Sequence, residues 1–154
     1  FCAQVLRTYQ EKPFRSAMSG AAGEDAQEKA KEAADAHKDV FAFVKETLGD
    51  AAKEVRPSAQ LKSHPVCLTA GEGFSFEMEK YFETVQPDAG IKAERILELN
   101  VEHPAFRALS DAVEHDPEKA KAYAQVLYNQ ALLIAGLPLE DPSAYTDLLC
   151  SLWQ

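Results

Sequence analysis

Two Asp-Pro pairs in the last third of the chain most constrain how it can fold. Asp116-Pro117 and Asp141-Pro142 each place a side chain that caps a helix before a proline that is well tolerated at the first helical position. They predict one helix over residues 117–135 and a second helix from residue 142 to about residue 153. Because the connection is short, the two helices are expected to form a hairpin, either antiparallel or steeply crossed.

The apolar residues of this hairpin extend beyond one face of each helix. A helix that is apolar on several sides is buried on several sides, and a terminal hairpin has few neighbours in its own chain. A second copy would complete the burial as a two-fold four-helix bundle, in which about 800 Å² per partner would reach standard interface size. Packing on the core of its own chain is the alternative, and these residues leave it open. The expected dimer-contact residues are Leu127, Ala131, Leu132, Ile134, Tyr145, Leu148, Leu149, Leu152 and Trp153.

Upstream of the hairpin, short strands alternate with helices. β-prone residues and the even spacing of apolar side chains predict three strands, over residues 53–61, 65–70 and 95–99. Pro57 lies inside the first of them, which favours an edge position or a bulge. Further helices are predicted over residues 24–48, 74–85 and 104–114. The order of elements indicates an α+β fold in which a small three-stranded sheet is covered by helices.

The first part of the chain differs in character from the rest. Residues 1–10 are interpreted as the end of a helix, and residues 11–23 as a linker, because that stretch holds Pro13, two serines and two glycines. The chain begins with Phe1 rather than Met, so we expect it to be a piece of a longer protein. The predicted folded domain is therefore 24–154.

A second apolar stripe lies on the helix predicted over residues 74–85. Its side chains are spaced at i, i+4, i+7 and i+8, and Val85 extends it; they are Phe74, Met78, Tyr81 and Phe82. Methionine and aromatic side chains together make an adaptable apolar surface that suits partners of varied sequence. The solvated side of the helix is expected to consist of Glu77, Glu79, Lys80 and Glu83. Core packing of the stripe is the alternative, and its exposure distinguishes the two.

Charge and cysteine usage exclude several classes of partner. The formal net charge is -9, from 16 basic and 25 acidic residues, and so acidic a surface repels the phosphates of nucleic acid. No apolar run approaches the roughly 18 residues of a membrane span, so no membrane partner is expected. The cysteines Cys2, Cys67 and Cys150 are far apart and form no CxxC pair, which is typical of reduced thiols in a cytoplasmic protein.

Motifs for catalysis and cofactor binding are missing from the sequence. Neither GxxxxGK[ST] nor HExxH occurs. Cys67 and His64 are three residues apart in an extended stretch, which places them on opposite faces, so a nucleophile–base pair is the weaker interpretation. Asp111 and His115 are spaced i, i+4, where a charge pair is commoner than a metal site. We therefore expect no catalytic residue, cofactor site or metal site in this chain.

Four segments stand out in order along the chain: KPFRS (12–16), SHPVCLTAGEGFSFEMEKYF (63–82), ILELNVEHPAF (96–106) and LYNQALLIAGLPLEDP (127–142). Together they resemble the C-terminal domain of the heat-shock protein 90 chaperone family, in its bacterial type, the high-temperature protein G group. Val101 and Pro57 depart from the family pattern.

The resemblance implies a division and a function. Residues 1–23 would be the end of a middle domain and its linker, and residues 24–154 a C-terminal dimerisation domain. The last two helices would make a constitutive homodimer, and the stripe at Phe74, Met78, Tyr81 and Phe82 would contact unfolded client proteins. ATP and Mg²⁺ would bind an N-terminal domain outside this chain, so this piece would not be an enzyme. A non-chaperone dimeric adaptor or structural domain is the alternative function.

Overall fold

A computed structural model describes residues 8–9, 12–13, 24–58 and 63–153. Single turns of 3₁₀ helix lie at Gly49–Ala51 and Pro87–Ala89. The strands are β1 (Thr8–Tyr9), β2 (Lys12–Pro13), β3 (Glu54–Pro57), β4 (Val66–Ala70) and β5 (Arg95–Leu99). The helices are α1 (Glu24–Ala36), α2 (Lys38–Leu48), α3 (Phe76–Val85), α4 (Pro104–His115), α5 (Pro117–Ile134) and α6 (Pro142–Ser151).

The main sheet has the strand order β3-β5-β4. β5 is central, parallel to β3 and antiparallel to β4, so that Leu97 lies opposite both Val55 and Leu68. Alternation along β5 turns Leu97 and Leu99 into the core and Glu98 to the other face. The predicted α+β fold with a small three-stranded sheet is confirmed.

Pro57 lies at the end of an edge strand, as its chemistry requires. It stands opposite Leu99 in the parallel register. The regular hydrogen bond of this pair comes from the next residue, since the backbone N–H of Ser58 donates to the Leu99 carbonyl at 2.8 Å. An N–H at residue 57 would point away from β5, so the proline removes no hydrogen bond from the sheet, and the edge position expected from the sequence is confirmed.

The long helix α5 organises the helical layer. It lies against β4, with α2 and α4 beside it, and the largest fully buried side chains come from these layers: Val44, Val66, Leu97, Leu99 and Leu109. Both predicted capping residues act as expected. Asp116 accepts from the N–H of Lys119 at 3.2 Å, and Asp141 accepts from the N–H of Ala144 at 2.9 Å.

The single helix predicted over residues 24–48 is wrong, since it breaks into α1 and α2 at His37. The backbone of His37 leaves the helical region, with φ of -120° and ψ of 28°. Its ring packs edge-on against Phe106, with 5.1 Å between ring centroids. This contact with α4 comes from a distant part of the chain, so local helix propensity could not reveal it.

The predictions for the first 23 residues are mostly untested. The helix end proposed for residues 1–10 is wrong at Thr8–Tyr9, which form a strand and pair antiparallel with Lys12–Pro13. The rest of residues 1–23, including the linker and the domain boundary, lies outside the described residues, as do residues 59–61 of the first predicted strand.

Candidate functional site

Helix α3 is attached to the domain by a buried carboxylate. Ser75 caps the helix by accepting from the Met78 N–H at 3.2 Å. Glu79, only 4% exposed, is the buried residue of the helix. Its two oxygens accept from the Ala93 N–H and from Nη2 of Arg95, each at 2.7 Å. The prediction that Glu79 is solvated is therefore wrong, because Arg95 and a backbone N–H compensate its charge inside the domain.

A second polar contact holds the same side of α3. Lys80 is half-buried, and its Nζ donates to the backbone carbonyl of Ala135 at 3.1 Å, at the C-terminal end of α5. The solvated position predicted for Lys80 is also wrong. Phe76, which the sequence did not single out, packs partly buried against the core. Only Glu77 and Glu83 remain exposed as expected.

The apolar stripe of α3 faces outward. Tyr81 is 63% exposed, and Phe74, Met78 and Val85 are exposed as well. Phe82 is half-buried, and its ring centroid lies 6.0 Å from that of Phe74 and 5.8 Å from that of Tyr81. Exposure rules out core packing for the four exposed side chains. The predicted start of the helix at residue 74 is wrong, since Ser75 is the N-cap and Phe74 precedes it, although its ring still lies beside Phe82. We call these residues the α3 apolar face: Phe74, Met78, Tyr81, Phe82 and Val85.

The C-terminal hairpin divides into a buried and an accessible part. Leu127, Ala131 and Leu132 of α5 are buried in the core of their own chain, so they leave almost no surface for a second copy. This reduces the predicted dimer contact to the remaining six residues. These side chains are buried because they lie on the side of α5 that covers the sheet.

The accessible part of the hairpin is apolar. Ile134 is 51% exposed and Trp153 is 85% exposed. No residue of α6 is fully buried. Tyr145, Leu148 and Leu149 are half-buried, as is Leu152, the residue that follows the helix. Leu133, at 51% exposure, belongs with them and was missed, although it stands in the run where α5 is apolar on all sides. We call these residues the hairpin apolar surface: Leu133, Ile134, Tyr145, Leu148, Leu149, Leu152 and Trp153.

Cys67 lies in a row of polar side chains across the outer face of the sheet. Its thiol donates to Oε2 of Glu98 at 3.5 Å, and Oε1 of Glu98 accepts from Arg56 at 2.6 Å. Burial raises the pKa of the Cys67 thiol to about 12, the negative charge of Glu98 acts in the same direction, and the positive charge of Arg56 opposes them. At neutral pH the thiol is protonated and a poor nucleophile.

Other candidate chemistry is not assembled within the described residues. No group of three or more His, Cys, Asp or Glu side chains there could hold a metal ion. Nδ1 of His115 lies 2.9 Å from the backbone oxygen of Asp111 rather than forming the expected charge pair with its carboxylate. In the same part of the chain, none of the helices combines the length and apolar character needed to cross a membrane.

Comparison with known proteins assigns this α+β domain, with its two exposed apolar surfaces, to a protein family. Residues 1–154 match the family described as Hsp90 protein, and the chain belongs to that family.

Its curated relatives include the chaperone protein HtpG of Alkaliphilus metalliredigens (strain QYMF), 46% identical over 155 residues that cover 99% of this chain and 25% of the relative. The chaperone protein HtpG of Bacillus subtilis (strain 168) is 44% identical over 153 residues, which cover 97% of this chain and 24% of that protein. The chain therefore spans about a quarter of the length of these relatives.

The buried ion pair predicts a large difference between two glutamates of one helix. Glu79→Ala leaves Arg95 partly buried without its partner, which should lower the free energy of unfolding by about 3 kcal/mol. Glu83→Ala makes the same chemical change at an exposed position of α3 and should change it by less than about 0.5 kcal/mol. Urea unfolding followed by circular dichroism measures both, and equal effects would contradict the anchoring role of Glu79.

The raised pKa of Cys67 predicts slow alkylation of the native protein. Raising the thiol pKa from its ordinary value of 9.0 to about 12 lowers the thiolate fraction near neutral pH by about a thousandfold. The alkylation rate should rise about tenfold per pH unit between pH 7 and 8.5. Exposed Cys150 is the internal reference and should react much faster. Iodoacetamide labelling with peptide mass spectrometry measures the two rates, and fast labelling of Cys67 would restore it as a candidate nucleophile.

Proposed function

We propose that this chain is the C-terminal dimerisation and client-contacting domain of an ATP-dependent, cytoplasmic molecular chaperone that assists protein folding. The observation that carries the proposal is the orientation of α3, which buries Glu79 and exposes Met78 and Tyr81, with Phe74 exposed just before the helix. Membership of the Hsp90 family and similarity to proteins named as HtpG chaperones support it.

The way α3 is held suits it to bind unfolded polypeptides. Its apolar face contributes little to the core, so a bound client displaces water rather than native contacts. Met78 beside aromatic rings can adapt to apolar segments of different shape. An exposed apolar patch of this kind on a folded domain normally marks an interaction site. The proposed partners are therefore unfolded or partly folded clients, held through Phe74, Met78, Tyr81 and Phe82.

The hairpin apolar surface supports a homodimer. A second hairpin presents the same residues, so a two-fold contact would bury Ile134 and Trp153 together with the half-buried leucines of α6. Such a contact would form the four-helix bundle expected from the apolar pattern. Leu127, Ala131 and Leu132 would support it from within the core rather than touch the partner.

Dimerisation would have two consequences for a chaperone. It would raise the effective concentration of any ATP-binding domains attached to the two chains. It would also bring two α3 apolar faces into one particle, so that one client is held twice. In this proposal ATP and Mg²⁺ bind outside the present chain, which itself carries no catalytic residue.

The dimer proposal predicts a mass near twice 16.9 kDa that persists on dilution. Trp153→Asp should raise the dissociation constant about a hundredfold, because an unpaired charge in the interface costs about 3 kcal/mol. Trp153 is already 85% exposed, so the substitution spares the core. Sedimentation equilibrium over a concentration series measures the mass and the dissociation constant of the wild type and of Trp153→Asp. Thr146→Asp, at an exposed position of α6, is the control. A wild-type chain that is monomeric throughout would refute the dimer.

The client proposal predicts that Met78→Ser combined with Tyr81→Ser weakens binding of an unfolded polypeptide about tenfold or more, since two apolar anchors are lost. Both residues are exposed, so cooperative unfolding should be unchanged. Glu77→Ser with Glu83→Ser is the matched control on the same helix. Fluorescence anisotropy with a labelled, permanently unfolded protein measures the affinities. Unchanged affinity in the apolar variant would favour the adaptor interpretation.

A further inference from the structure

Lys80 joins the two apolar surfaces of the domain. It projects from α3, and its Nζ donates to the Ala135 carbonyl at 3.1 Å, across 55 positions of sequence. Ala135 is the C-terminal cap of α5 and begins the turn that leads to α6. The contact therefore links the helix that carries the α3 apolar face to the bend of the hairpin.

The backbone of the turn, which lies wholly within the described residues, satisfies the carbonyls of Leu132 and Leu133 but provides no donor for that of Ala135. The N–H of Gly136 donates to Leu133 at 3.0 Å and the N–H of Leu137 donates to Leu132 at 2.9 Å, so the backbone itself satisfies those two carbonyls. The Ala135 carbonyl receives the Lys80 ammonium, which also complements the negative end of the α5 dipole.

Gly136 makes the approach of Lys80 possible. A Cβ at residue 136 would lie 2.9 Å from Nζ of Lys80, closer than the two groups can approach without displacing the lysine. The φ of 70° at Gly136 independently favours glycine. The absence of a side chain at the bend thus leaves the space that the ammonium group occupies.

Lys80 and Glu79 fasten α3 in different directions. Consecutive residues of an α-helix point about 100° apart, so Glu79 reaches Ala93 and Arg95 beside β5 while Lys80 reaches the hairpin. Phe76 and Glu79 hold α3 against the core and the start of β5. The Lys80 contact adds an attachment in a second direction, and it fixes the rotation of α3 relative to the hairpin.

We infer that Lys80 is a positioning residue that sets the α3 apolar face relative to the hairpin, and so sets how the two faces of a homodimer stand to each other. The inference rests on the proposed function. Its client class is an unfolded polypeptide with two separated apolar segments, one for each face. Such a client gains affinity from the second contact only when both faces stand in register, whereas a client with one apolar segment gains nothing from that register.

The test compares two labelled peptides, one with a single apolar segment and one with two copies of it joined by a linker just long enough to span the two faces, so that the second contact is sensitive to their register. Fluorescence anisotropy measures their binding to the dimeric wild-type chain and to Lys80→Met, which keeps most of the length of the side chain and removes its charge. The wild type should bind the two-segment peptide about tenfold more tightly than the one-segment peptide, and Lys80→Met should reduce this ratio to about twofold. Its affinity for the one-segment peptide should stay within about twofold of the wild type.

Two further variants define the controls. Lys80→Arg retains a positive donor and should restore the preference for two segments, and Lys31→Met makes the same change at an exposed position of α1 and should leave it intact. Thermal unfolding and sedimentation confirm that the variants fold and dimerise as the wild type does. Lys80→Gln replaces Lys80→Met should the latter unfold.

Any of four outcomes would overturn the inference. If Lys80→Met keeps the wild-type preference, the contact does not set the register. If it weakens both peptides equally, Lys80 acts only on the integrity of α3. If the wild type binds both peptides equally well, the two faces do not act together. A wild-type chain that binds neither peptide refutes client binding itself, and the inference falls with it; this outcome is recognised before any substitution is made.

Discussion

Helix α3 depends on one buried carboxylate. Glu79 loses its hydration, and the cost is offset by the Ala93 N–H and the Arg95 guanidinium, each at 2.7 Å. Hydrogen bonds to a charged group are strong and directional, so they attach a helix without requiring a broad apolar contact. The helix can then turn most of its apolar side chains to solvent, which reverses the usual arrangement of an amphipathic surface helix.

The same reversal explains the composition around the helix. Exposed apolar side chains gain nothing from folding and favour association. Glu77 and Glu83 stand beside the α3 apolar face, and the whole chain carries a net charge of -9, so copies of the domain repel one another at long range. A face of this kind can remain open for a polypeptide partner while indiscriminate self-association is opposed.

Helix α5 serves both the core and the exterior because its apolar run is longer than one face. Successive side chains point about 100° apart, so Ala131 and Leu132 turn toward the core while Leu133 and Ile134 turn outward. The half-buried α6 continues the outward surface. Because α5 packs on the sheet, its position fixes where the hairpin lies relative to the sheet. Lys80 connects α3 to the C-terminal end of α5.

The sequence by itself determined the features whose causes lie within a few residues. Asp116 and Asp141 each cap an N–H three residues ahead, so the starts of their helices could be predicted, and Pro57 indicated an edge strand without any partner being known. Alternation and helical periodicity likewise predicted the sheet and most helices, and the spacing of Met78 and Tyr81 placed them on one face. The cap at Ser75 was missed, so the predicted helix began two residues early and included Phe74.

Only the tertiary structure decided which faces are covered. Glu79 looked solvated because its partners, Ala93 and Arg95, lie 14 and 16 residues away and reach it only through the packing of the domain. The break at His37 and the burial of Leu127 similarly depend on α4 and on the sheet. A local pattern states which side chains share a face, but burial is a property of two surfaces, and the second surface comes from elsewhere in the chain.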